Sequence, residues 1–138
     1  GVMALVGGSS GRRAALHGVA SIAMASALAN QPLKRLTRRR RPDRDSALVP
    51  EARRVPMPTS TSFPSGHSAS AFAFAQGVGH TQPALGAALR LAAVTVAYSR
   101  VHAGVHYPGD VLVGTLTGVA CGEAAPRVLD AVARRVEG

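Results

Sequence analysis

Apolar, Ala-rich blocks flank one long charged block in this chain. Residues 14–33 (AALHGVASIAMASALANQPL) carry no formal charge and are rich in alanine, the best helix former. Residues 34–64 hold nine basic residues, three acidic ones and five prolines. No apolar period runs through them, so they read as a long loop. A loop of that length inside a compact domain is functional more often than structural. Apolar residues resume over 65–80, where Ser65 is placed to cap a helix N-terminus. Thr81, Gln82 and Pro83 make a turn, and a third apolar block runs to His102. Residues 103–107 break the pattern, and Pro108 suits the first turn of a fourth helix. Strand signals are nearly absent. The pattern predicts helices over about 12–33, 65–80, 83–101 and 108–124, with the loop at 34–64 between the first two. The fold class is all-α, an antiparallel helical bundle, and a chain of 138 residues is one domain.

Composition narrows the class. Hydrophobic residues make up 46% of the chain, too many for a disordered segment. Cys121 is the lone cysteine, which excludes an internal disulfide and a cysteine-type zinc site. Sixteen Lys and Arg against seven Asp and Glu give a net charge of +9. That balance suits nucleic acid, anionic lipid, a phosphorylated substrate or plain solubility. Twenty uncharged residues at 14–33 are just enough to span a bilayer, although a buried helix of a soluble bundle fits too. Arg90, in the middle of the third helix, weakens a transmembrane reading there. Gly114, Gly118 and Gly122 recur every four residues. This spacing fits association with another helix in a membrane, or ordinary tight packing. The chain opens on Gly1 without a clear secretory signal, and is expected to be a piece of a longer protein.

Antiparallel helices put residues 34–67 and 99–110 on one face of the bundle. That face collects Lys34, Arg41, Ser65, His67, Arg100, His102, His106 and Asp110. Cations that fork onto oxyanions, histidines and a carboxylate make an anion site with acid–base capacity. Asp110, in the first turn of the fourth helix, can accept a hydrogen bond from the His106 ring and orient it. Pro64-Ser65-Gly66-His67 puts a glycine and a hydroxyl at a helix N-terminus, where backbone N–H groups point at an anion. His17 and His80 fall outside these windows and carry no chemistry in this reading. His102 is a neighbouring or structural histidine, and Cys121 a buried thiol. Arg35, Arg38, Arg39 and Arg40 are surplus to the constellation, and suit anionic headgroups at a bilayer surface.

Lys34, six residues, then Arg41-Pro42; Pro64-Ser65-Gly66-His67; and Ser99-Arg100, five residues, His106, three residues, Asp110: these three blocks resemble the type 2 phosphatidic acid phosphatase family, in its order and at its spacings. The resemblance covers residues 34–110. It implies a membrane-embedded helical bundle, of the bacterial multi-pass type, that hydrolyses phosphate monoesters or pyrophosphates of lipids without a metal or other cofactor. It implies that His106 attacks phosphorus and forms a phosphohistidine, that Asp110 orients it, and that His67 protonates the leaving alkoxide. Lys34, Arg41, Ser65, Gly66 and Arg100 then hold the phosphoryl oxygens. The family's usual helix count implies that one or two helices precede Gly1. The chemistry agrees: neutral imidazole is a competent nucleophile, and fixed cations can neutralise the equatorial oxygens.

Rival readings make other demands. Vanadium haloperoxidases resemble the same anion site but are long soluble chains. A soluble periplasmic acid phosphatase would carry the same motifs without the uncharged segments. A nucleic-acid-binding module leaves the paired histidines and Asp110 unused, and only 4% of residues are aromatic, so no nucleic acid partner is expected. Two expectations of sidedness conflict. The positive-inside rule puts the basic loop in the cytoplasm, whereas the resemblance implies an active site on the outer face.

Overall fold

The computed structural model describes residues 7–29 and 37–138. Among the described residues four α-helices carry the fold: α1 (Gly8–Leu28), α2 (Gly66–Gly79), α3 (Pro83–His102) and α4 (Pro108–Glu137). Among the described residues there is no strand, and one short 3-10 turn, Glu51–Arg53, interrupts the long loop. Starts and ends of α2 and α3 fall within a residue of the sequence expectation. Helix α1 begins four residues earlier than expected, and its expected end at 33 lies outside the described residues.

Helix α4 is the main departure. It runs 30 residues, well past the expected end near 124, and continues through Pro126, a residue that costs a helix interior about 3 kcal/mol. The contacts of its C-terminal half with α1 offset that cost. Asp130 sits 2.9 Å from Arg13 and 3.2 Å from the buried His17 ring. Thr81 holds the other His17 nitrogen at 3.0 Å, and the His80 ring stands edge-on to His17 at 5.4 Å. His17 and His80, read as bland, therefore help to clasp the end of the bundle farthest from the candidate site.

Helix α2 is the centre of the bundle, packing on α1, α3 and α4. Small residues build that packing. A Cβ added at Gly114 would lie 2.4 Å from the Ser65 carbonyl oxygen, and one at Gly118 2.3 Å from the Ala69 oxygen. Of the two uses expected for the glycine stripe, association with another helix or tight packing, the structure shows packing within the chain, because glycine lets α4 come this close to α2. The core is made of alanines such as Ala14, Ala25, Ala69, Ala73 and Ala75, together with Cys121.

The large apolar side chains point outward instead. Leu91 is 74% exposed, Leu112 61%, Leu116 60% and Val19 61%. Helix α3 is, among the described residues, the one helix long and apolar enough to cross a membrane. That corrects the reading of Arg90: its guanidinium turns inward and donates to Gln76 Oε1 at 2.9 Å, and Gln76 donates in turn to Glu123. The charge does not face the helix's apolar outer side, so it does not oppose burial in lipid.

Candidate active site

Two tight junctions build the site. At the first, Ser65 caps α2: its hydroxyl accepts from the Ser68 N–H at 3.4 Å and the Ser68 hydroxyl at 3.0 Å. The Ser65 N–H donates to the Asp110 carbonyl oxygen at 2.9 Å, which joins the first turn of α2 to the first turn of α4. At the second junction, α3 ends and the chain reverses through Gly104 in the left-handed region (φ 64°), where a Cβ would strike Val49. The Arg100 carbonyl accepts from the N–H groups of Val105 (3.1 Å) and His106 (3.3 Å). This fixes His106 just before α4. Pro108 opens that helix, and the Asp110 carboxylate, in its first turn, accepts from the Tyr107 N–H at 2.9 Å.

Between the junctions lies a cavity of about 290 Å³ lined by Arg41, Pro58, Ser60, Gly66, His67, Ser70 and His106. Residues as much as 65 positions apart in sequence, Arg41 and His106, thus meet on one face, as the antiparallel argument requires. The Arg41 guanidinium is clamped: it donates to the carbonyls of Ser60 (2.9 Å) and Val105 (2.7 Å), and lies 3.3 Å from His106 Nε2. An arginine can only donate, so this contact leaves the Nε2 lone pair as acceptor and the ring proton on Nδ1. Burial lowers the pKa of Arg41, an effect that the Asp110 charge opposes.

His106 is buried, 4% exposed. Desolvation, and behind it the Arg41 charge, depress its pKa to about 4, against the pull of Asp110. The ring is therefore neutral across the physiological range. Its Nδ1 has no hydrogen-bond partner; Asp110 Oδ2 is 3.7 Å away, an ion-pair distance longer than the hydrogen bond expected from the sequence. The fully buried Asp110 carboxylate is held elsewhere, by the Tyr107 N–H and by Arg39, whose Nη1 reaches Oδ1 at 3.2 Å. The Arg39 guanidinium also lies over the Tyr107 ring, 4.3 Å from its centroid. Sequence reading missed this residue, because nothing in a run of four arginines marks one as the partner of a distant aspartate.

Other expected site residues sit differently. His67 is exposed at the cavity. The Arg100 guanidinium rests on the Ser99 hydroxyl at 3.1 Å and does not line the cavity, whereas its carbonyl shapes the turn. His102 pairs with Tyr98 on the outside of α3, 3.2 Å from its hydroxyl. Lys34 lies outside the described residues. Among the described residues no group of three or more His, Cys, Asp or Glu is placed to hold a metal ion.

Known proteins resemble the chain in sequence and in fold. The chain is similar to a decaprenylphosphoryl-5-phosphoribose phosphatase of Mycobacterium tuberculosis, 42% identical over 91 residues. The match takes in 65% of this chain and 48% of that protein, so the chain spans about half the length of the curated relative it matches. The crystal structure of Aquifex aeolicus LpxE superposes with a TM-score of 0.69 and 32% identity, over 84% of this chain and 68% of that one. The profile of the PAP2 superfamily matches residues 14–133, a stretch that holds every described member of the cavity. The chain belongs to the PAP2 superfamily.

Proposed function

We propose that this chain is a metal-independent phosphatase of lipid phosphates that works through a phosphohistidine at His106. One observation carries the reading: a buried, neutral His106 presents Nε2 beside the Arg41 guanidinium at 3.3 Å in a cavity that His67 also lines. In the first step Nε2 attacks phosphorus, the bond from phosphorus to the ester oxygen breaks, and His67 gives its proton to the departing alkoxide. In the second, His67 takes a proton from water, the water oxygen attacks phosphorus, and phosphate leaves with His106 restored. Arg41 and the Gly66 backbone at the start of α2 face the phosphoryl oxygens, with Lys34 as a further member of the cradle, while Ser65, as the α2 cap, and Arg100, through its carbonyl, hold the frame around it. Asp110 stabilises the imidazole as it becomes cationic.

A lipid substrate fits the outside of the molecule. Exposed leucines and valines on α1, α3 and α4 surround a core of alanine and glycine, the reverse of a water-soluble protein and the packing of helices in lipid. The relative's name describes a polyprenyl-linked phosphate, which extends the class from phosphatidic acid to polyprenyl phosphates. We place the chain in the bacterial cell membrane as a multi-pass protein, with the site on the outer face. Impermeant labelling of a cysteine introduced at 44–60, in a Cys121→Ser background, tests the side. Phosphate release from phosphatidic acid and polyprenyl phosphates in detergent, with EDTA present, tests the reaction. Release should require His106 and ignore EDTA. No release from any lipid of that panel would leave the cavity as a non-catalytic anion site.

A further inference from the structure

A second cavity, of about 320 Å³, adjoins the first. Arg41, Pro58 and Ser60 line both. The far side of the second cavity is made by Arg38, Arg39, Arg40 and Thr61, and no carboxylate lines it. Arg39 is committed to Asp110. Arg38 and Arg40 are not: neither guanidinium has a hydrogen-bond or ion-pair partner among the described residues. Arg38 is also held in the left-handed backbone region (φ 41°), a conformation costly for a residue with a Cβ. Thr61 adds an independent sign. Its hydroxyl is buried and has no hydrogen-bond partner, a rare condition unless something absent completes it.

We infer that this cavity is a second anion subsite, which receives a further phosphate or phosphodiester of the same substrate molecule while its terminal phosphate reacts at His106. Two unpaired guanidinium groups and an orphaned hydroxyl supply donors and no acceptor charge, the chemistry that a phosphate group completes. The two cavities share Arg41, Pro58 and Ser60, so one substrate molecule can present an anionic group to each. A phosphate and a phosphodiester linked through a glycerol are the probe of that pairing. The subsite rests on the phosphatase reading of the first cavity and adds to it the class of lipid preferred.

The test compares two short-chain substrates in non-ionic detergent. Dioctanoyl phosphatidic acid has one phosphate; dioctanoyl phosphatidylglycerol phosphate has a terminal phosphate and a phosphodiester one glycerol away. The wild-type protein should show a kcat/KM at least about tenfold higher for the second, carried by KM, as one charge-assisted contact supplies. Arg38→Gln with Arg40→Gln should bring the ratio of the two kcat/KM values towards one. So should Thr61→Val, which removes no hydrogen bond of the free protein. Three outcomes overturn the subsite: no preference in the wild-type protein, a ratio that neither variant moves, or an equal loss on both substrates that added phosphatidylglycerol restores. The last would assign the arginines to headgroups of the surrounding lipid. Hydrolysis of polyprenyl phosphate but of neither test substrate would overturn the subsite alone; hydrolysis of none of the three would overturn the phosphatase reading, and the subsite with it.

Discussion

A histidine that attacks phosphorus must arrive uncharged, and His106 is kept so by burial and by a neighbouring guanidinium. With its pKa at about 4 instead of the ordinary 6.5, the acid limb of kcat/KM that belongs to His106 should fall near pH 4. A limb near 6.5 would mean that water reaches the ring. Linkage gives the sign for stability. Between those two values the unfolded chain binds a proton that the folded chain refuses, so stability should drop as pH falls from 6.5 to 4. Thermal unfolding across that range, with His106→Gln as the flat control, checks it. His106→Ala should lower phosphate release by more than about 10³-fold, and Asp110→Asn by less, since the nucleophile stays. Arg39→Gln should cost about tenfold in kcat, the worth of one hydrogen bond to a charged group. It should also move the acid limb upward, because an unopposed Asp110 pulls proton affinity back to His106; Arg39→Lys should restore part of both. The motif residues were legible because each spacing is local to one turn or one helix end. Arg39 was not, because its partner is 71 residues away and its own neighbours are also arginines.

Helix by helix, the sequence marked boundaries that carry their own local signal better than those that depend on distant partners. Ser65 and Pro108 announce α2 and α4 through capping chemistry that depends only on adjacent residues. The end of α4 depends on α1, since Arg13 and His17 hold Asp130, and no local pattern reports that. The glycine stripe was visible, but its partner was not. Gly118→Leu should destabilise the bundle by about 1–3 kcal/mol or more, because its Cβ meets the Ala69 carbonyl oxygen, which is backbone and cannot swing aside. Unfolding in detergent should show this, whereas Leu116→Met, on the exposed side of the same helix, should be near neutral. If Gly118→Leu unfolded like the native chain, the close approach of α4 to α2 would be wrong.

On the scale of the whole molecule, alanines dominate the buried apolar positions, with Val78 and Val105 among them, while many leucines and valines stand outside. Mean hydropathy of +0.13 hides that arrangement, because an average does not record which face a leucine takes. Leu91→Asp with Leu116→Asp should shift the protein out of the carbonate-resistant membrane fraction, at a cost of about 3 kcal/mol for each charge placed in hydrocarbon. Retention equal to wild type would mean that these faces do not meet lipid.

The Ser65 N–H bond to the Asp110 carbonyl ties the helix that carries His67 to the helix that follows His106. Acid and nucleophile are therefore mounted on one rigid plate, with no hinge between them. The rim, residues 37–64, is a separate part, which meets the plate through Arg39 and Arg41. Exchanging that rim between relatives should transplant substrate preference and leave the chemistry behind.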